Sequence, residues 1–214
     1  MNSCVCARIT LVLYTDSQFF LSLGVFVQKN FLDPELCLQL CSEMRSAEGN
    51  AATIFSKSTQ YQVNQEIRKT STRPVSTETS SIIEAQLQRV QSQIEQFFQT
   101  SLSGIEPLQF LLYSKGDYLR LHRDELDDPN GLTRLSRKIS VVVFLNRKSD
   151  QPEPNSFCGG ALVFYGLISK PEWESFGFPL SPEPGTIVAF RPNVNHEVKD
   201  VTDGERYSIV TWYH

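Results

Sequence analysis

The spacing of apolar residues changes character near residue 107. Before that point it is helical. Asp33-Pro34 opens the first run, since Asp suits a helix cap and Pro the first helical position. Leu36, Leu38, Leu40, Cys41 and Met44 then predict a helix reaching about Ala47. Ser76-Thr77-Glu78 supplies capping chemistry for a second. Ile82, Ile83, Leu87, Val90, Ile94, Phe97 and Phe98 form its stripe, predicting an amphipathic helix over 76–100. Gly24 to Val27 reads as a short strand. The polar stretch 48–76 reads as a long loop with one or two short strands, such as Gln65 to Arg68.

Past residue 107 the period shortens to that of strands. Leu108 to Tyr113, Tyr118 to Leu121, Lys138 to Leu145, Ala161 to Tyr165, Thr186 to Phe190 and Arg206 to Tyr213 are the segments. Turn-rich pieces around Pro129-Asn130-Gly131, Pro152 to Asn155 and Pro182 to Gly185 separate them. No βαβ alternation and no internal repeat appears. Two helices followed by a run of antiparallel strands predict an α+β fold, a double-sheet barrel with helices packed outside.

Composition narrows the class. The apolar share of 40% and charged share of 21% are those of an ordinary globular domain. A net charge of -4 leaves no overall basic footprint for nucleic acid. No segment is apolar enough over about 18 residues to span a bilayer. Cys37 and Cys41 are four apart on one helical face and read as small buried hydrophobes; Cys4, Cys6 and Cys158 form no metal-binding spacing with them. Reduced cysteines and the lack of a clear signal peptide give a cytoplasmic expectation. Residues 1–22 read as an N-terminal extension or early strand, and 23–214 as one domain. Its helical support spans 33–101 and its strand-rich core 107–213.

The chain has three histidines: His122, His196 and His214. His122-Arg123-Asp124 closes a strand segment, and residues two apart on a strand point to one side. An imidazole and a carboxylate could therefore share one ion, with His196 as third ligand from another strand or its turn. Two His and one carboxylate form the facial triad associated with Fe(II) oxygenases. The same triplet is common in solvated loops, so the spacing alone does not decide. His214, at the chain end, is expected to fray.

The surrounding text is more specific. Leu111 to Leu121 precedes the triplet. Arg137-Lys138-Ile139-Ser140 runs on to Leu145-Asn146, and Gly159-Gly160-Ala161-Leu162-Val163-Phe164 follows. Then come Pro184-Gly185-Thr186 to Phe190, His196-Glu197-Val198, and Gly204-Glu205-Arg206-Tyr207-Ser208 to Trp212. This ordered series, over about residues 107–213, resembles the prolyl-hydroxylase-like branch of the 2-oxoglutarate and Fe(II)-dependent oxygenases.

The resemblance implies a distorted double-stranded β-helix, the cupin-like jelly roll, with helices outside. It implies Fe(II) on His122, Asp124 and His196, with 2-oxoglutarate and O2 as co-substrates and ascorbate as an accessory reductant. Arg206 matches the residue that grips the far carboxylate of 2-oxoglutarate, a task suited to a guanidinium that stays charged and donates two parallel hydrogen bonds. Ser208 shares its strand face, and Tyr113 matches a tyrosine that supports the co-substrate. A second family tyrosine, three residues before the first histidine, is replaced here by Leu119. Arg120 and Trp212 are candidate substrate contacts; Arg120 is equally a barrel-rim ion pair, and Trp212 equally a core aromatic. Gly159-Gly160 reads as a simple turn without chemistry.

The implied activity is hydroxylation of a C–H bond in a prolyl or other amino-acid residue of a peptide or protein. Hydroxylation of a free amino acid or small metabolite is the alternative, and a non-catalytic jelly-roll binding module the reading from a different class. An alkylated-base demethylase ranks below, because Val210 and Trp212 follow Arg206 where a further basic residue is expected. Residues 48–76, 125–137 and 147–158 are the expected lids and specificity loops. The acidic Glu125, Asp127 and Asp128 beside the first ligands would favour a cationic or amide-rich partner over nucleic acid. No membrane partner is expected, and the oligomeric state is not legible.

Overall fold

A computed structural model describes residues 17–55, 61–62, 64–125, 137–180 and 182–214. Two sheets carry the architecture. The major sheet runs β1 (Phe26–Gln28), β14 (Ile187–Phe190), β9 (Ile139–Phe144), β17 (Arg206–Tyr213), β7 (Gln109–Tyr113), β6 (Ser71–Thr72), β2 (Asn50–Ala51). The minor sheet runs β13 (Phe178–Leu180), β12 (Leu162–Tyr165), β15 (Asn195–Val198), β8 (Tyr118–His122), β5 (Arg68–Lys69). A small sheet orders β10 (Arg147–Lys148), β11 (Ser156–Gly159) and β16 (Val201–Gly204), and β3 (Ile54–Phe55) pairs with β4 (Tyr61–Gln62). Every pairing except β10 with β11 is antiparallel. This is a jelly roll with helices in the minority.

Strand alternation divides the core into two layers. Tyr207, Ile209 and Tyr213 of β17 face outward, with Phe110, Leu112, Ile139, Val141, Val143, Ile187 and Ala189 of their neighbours. Against them pack α2 (Pro34–Ser46), through Cys37, Leu40, Cys41 and Met44, and α3 (Thr77–Phe98), through Ile83, Leu87, Val90, Ile94 and Phe98. Leu111, Tyr113, Val142, Phe144, Val188 and Phe190 face the other way, toward Leu162, Phe164 and Val198 of the minor sheet. The second layer is the barrel interior.

The helices follow the sequence expectation with adjustments. Ser76 caps α3, its hydroxyl accepting from the Thr79 N–H at 3.1 Å. Asp33 makes no side-chain cap, so Pro34 and the extended backbone of residue 33 start α2 instead. Ile82 is exposed, because the buried stripe runs 83, 87, 90, 94, 98 and residue 82 falls a step off it.

The polar stretch after α2 is more ordered than its composition implies, contributing β2 to β6. The 147–158 segment supplies β10 and β11 rather than a bare loop. Within the expected N-terminal extension, Ser17–Ser22 forms α1, which buries Phe20 against the barrel core; residues 1–16 lie outside the described residues. The chain end does not fray: the His214 N–H donates to the Gly104 carbonyl, and its carbonyl accepts from Ser103. Among the described residues no helix is long and apolar enough to cross a membrane.

Candidate metal centre and co-substrate pocket

His122 ends β8 and His196 lies on β15, where the two residues are direct cross-strand partners. Their rings stand 4.2 Å apart. Asp124 follows as β8 leaves the sheet, held by its N–H to the Pro192 carbonyl at 2.9 Å. Its carboxylate reaches both rings: Oδ1 lies 3.5 Å from His122 Nε2 and Oδ2 lies 3.6 Å from His196 Nε2. The potential ligand atoms of the three residues all fall within 4.8 Å of one another, and no other such group occurs among the described residues.

The tautomers are set from behind. Each Nδ1 faces a backbone carbonyl two residues upstream, Arg120 for His122 at 2.9 Å and Val194 for His196 at 3.0 Å. With the proton on Nδ1, both Nε2 lone pairs point at the shared space, as metal ligation requires. Electrostatics agrees. Burial pushes the His196 imidazole down to about 4, against the opposing pull of Asp124, so it is neutral at pH 7. Burial would raise the Asp124 carboxyl, but the two histidines and the Ser140 hydroxyl outweigh it and hold the group well below the usual carboxylate range. Ser140 turns toward this carboxylate without a well-formed hydrogen bond.

A β-bulge decides which residues of β8 join the site. Val198 pairs with Leu119 while His196 pairs with His122, so three steps on β8 face two on β15. Leu119 and His122 therefore share the interior face. Arg120, expected to share it, is turned away: it is half exposed, stacks 3.4 Å from the Tyr118 ring centre and pairs with Asp200. It is the rim ion pair of the two readings, and its candidacy as a substrate contact falls. Leu119 brings an apolar side chain where a tyrosine hydroxyl was expected.

Deeper in the barrel, Arg206 is 1% exposed. Its strand β17 is regular, so Arg206, Ser208, Val210 and Trp212 alternate onto the interior face. Tyr113 is its cross-strand partner, with the ring 5.1 Å from the guanidinium; Phe144 and Phe157 stand at 5.0 and 5.9 Å. Nη1 donates to the Ser208 hydroxyl at 2.9 Å. Nε and Nη2 are buried and have no acceptor. Those two groups lie on one edge of the guanidinium, the edge that receives both oxygens of a carboxylate. An isolated buried cation with a whole donor edge unused is costly unless a ligand completes it.

Phe157 and Gly160 were not legible as site residues. A Cβ on Gly160 would lie 3.1 Å from the Arg206 side chain and 3.1 Å from the Phe157 ring, and the backbone there is left-handed at φ +57°. The glycine thus makes room for Arg206 rather than serving a turn alone. Arg137 and Glu106 were also missed. Arg137 lies 3.6 Å over the Trp212 ring and is gripped by Glu106 at 2.6 and 2.8 Å; its remaining nitrogen donates to the Asp124 carbonyl at 3.4 Å. Trp212 is buried opposite Ser140, beside Asp124, with its indole N–H unpartnered. Of the acidic stretch, Glu125 is exposed; Asp127 and Asp128 lie outside the described residues.

Comparison with known proteins agrees with this geometry. The family model for the 2OG-Fe(II) oxygenase superfamily matches residues 108–214. A prolyl-4-hydroxylase from Pseudomonas putida shares the fold at TM-score 0.65 and 24% identity, over 96% of this chain and 98% of that one. A Trichoplax adhaerens prolyl hydroxylase, solved with a hypoxia inducible factor oxygen degradation domain peptide, gives 0.63 and 19%, over 100% and 93%. A viral collagen prolyl hydroxylase from Paramecium Bursaria Chlorella virus-1, solved with 2-oxoglutarate, gives 0.56 and 16%, over 89% and 94%. No curated protein sequence matches the chain. The chain belongs to the 2OG-Fe(II) oxygenase superfamily. It is a 2-oxoglutarate-dependent iron dioxygenase, using Fe(II), 2-oxoglutarate and O2.

Proposed function

We propose that the protein hydroxylates a prolyl or other amino-acid residue within a peptide or protein. The observation that carries this reading is the His122–Asp124–His196 cluster set in the same barrel interior as Arg206, whose free donor edge suits a carboxylate. The fold shared with prolyl hydroxylases, one of them solved with a peptide, supports the same class.

In this reading His122, Asp124 and His196 hold Fe(II). Bound there with 2-oxoglutarate and O2, the metal supplies the oxidising power that couples decarboxylation to succinate and carbon dioxide with oxygen insertion into a C–H bond. Arg206 receives the far carboxylate on its free edge. Ser208 keeps the guanidinium in that orientation. Tyr113, Phe144 and Phe157 exclude water around the charge pair, which strengthens it. Leu119 adds apolar surface on the facing sheet. Arg137 steadies the Asp124 backbone from outside the metal shell.

The test is a panel of proline-containing peptides and free amino acids. Each is incubated with Fe(II)-loaded protein and 2-oxoglutarate, then read by mass spectrometry for one added oxygen and by succinate released. The proposal expects a peptidyl product matched by succinate. Release coupled only to a free amino acid would favour the small-metabolite alternative and contradict the peptide reading.

A further inference from the structure

An arginine drawn into a protein interior normally brings a carboxylate with it, because an unpaired buried charge is expensive. Arg137 obeys the rule through Glu106. Two buried arginines among the described residues do not. One is Arg206, whose anion is the co-substrate. The other is Arg68, 8% exposed. Its Nη1 donates to the Thr53 carbonyl at 2.9 Å and its Nη2 to Gln109 Oε1 at 3.2 Å. Its Nε is buried without an acceptor.

The strand registers place this group. Arg68 pairs with Leu119, which pairs with Val198, and both partners pack into the barrel interior; Arg68 projects to the same side. Gln109 pairs with Val210 and so lies on the interior face that also carries Arg206 and Trp212. The Arg68–Gln109 contact thus bridges the two sheets, on the Trp212 side of the co-substrate arginine along β17. A cavity of about 240 Å³ opens beside Arg68 toward Asn50, Gln65, Lys69, Ser71 and Asp117, and Gln109 does not line it. The neighbouring Lys69 is already neutralised by Asp117 at 3.3 Å. Arg68 is therefore the uncompensated charge there.

We propose that Arg68 is a specificity-determining residue, receiving with Gln109 a carboxylate of the substrate outside the residue that is hydroxylated. The proposal rests on the peptide reading above. The Nε and Nη2 hydrogens share one edge of the guanidinium, and only the Gln109 amide oxygen, on a rotatable side chain, occupies part of it. Rotation of that amide frees Nη2 for side-on carboxylate binding and offers the Gln109 NH2 to the same anion. An aspartyl or glutamyl side chain and a C-terminal carboxylate both carry this chemistry.

The experiment measures fluorescence anisotropy of labelled proline peptides on the protein loaded with Fe(II) and 2-oxoglutarate under argon. One pair differs only by Asp against Asn. A second, neutral pair differs only by a free against an amidated C-terminus. Wild-type protein should bind the charged member of one pair at least about tenfold more tightly, and that pair names the source of the carboxylate. Arg68→Gln should erase the difference; the wild-type comparison stands even if this variant folds poorly. Equal affinity within both pairs, or no binding by any peptide, overturns the proposal. If those peptides are nevertheless hydroxylated alike in air, the hydroxylase reading survives its failure. Charge-selective binding without hydroxylation would keep Arg68 and remove the prolyl reading.

Discussion

Ser208 occupies one nitrogen of the Arg206 guanidinium at 2.9 Å, and the opposite edge of the same group is buried and bare. The protein has enclosed a cation and withheld its partner. Such a site stores a penalty in the ligand-free state that a carboxylate ligand relieves.

Arg206→Met should therefore be tolerated or stabilising without 2-oxoglutarate. In wild type, 2-oxoglutarate with Fe(II) should raise the melting temperature; in the variant that rise should disappear. The KM for 2-oxoglutarate should increase by at least about tenfold, the expected consequence of removing one side of a buried charge pair. Thermal shift with and without the ligand checks both halves. A variant that melts far lower alone, yet is still stabilised by 2-oxoglutarate, would assign the anchoring to another cation.

Asp124→Ala and His196→Ala should each abolish stoichiometric iron binding while leaving a folded barrel. The interior layer is closed by Phe164, Phe190 and Val198 without help from a metal. Metal analysis beside circular dichroism checks this. Full iron content in either variant would mean the ion is held elsewhere.

Acid should destabilise the metal-free protein in a defined window. His196 titrates at about 4 when folded, against about 6.5 when unfolded. The unfolded chain binds the extra proton first, so this contribution is full above pH 6.5 and falls away as the pH drops toward 4. The linked loss is on the order of 3 kcal/mol. Urea midpoints measured between pH 7 and pH 4 should fall steeply in wild type and less in His196→Asn. Parallel slopes would contradict the assignment.

Cys37 and Cys41 should resist alkylation in the native state. Burial pushes the first thiol up to about 11 and the second to about 12, and both lie on the buried face of α2. Labelling with iodoacetamide at pH 8, followed by peptide mapping, should find them unmodified until the protein unfolds. Rapid native labelling would indicate that α2 opens.

These expectations trace unevenly to the sequence. The face shared by Arg206, Ser208 and Trp212 was legible because β17 is regular, and its boundaries matched the expected segment Arg206 to Tyr213. Two-residue parity failed on β8, where the bulge between Leu119 and His122 inverts it and sends Arg120 outward. Nothing in the composition of those residues marks a bulge. Glu106 and Arg137 lie 31 residues apart in the chain, so only the fold shows that one neutralises the other. Phe157 was hidden because it follows a Pro-rich turn and reads as loop, yet its ring packs beside the Arg206 side chain.

The central claim is that His122, Asp124, His196 and Arg206 form one oxygenase site. The most direct measurement is succinate formed per 2-oxoglutarate consumed, in wild type and in His122→Ala, with and without added Fe(II). The account predicts iron-dependent, one-for-one conversion in wild type and none above background in the variant. Equal conversion by His122→Ala, or conversion by wild type that persists after iron is stripped with a chelator, would contradict it.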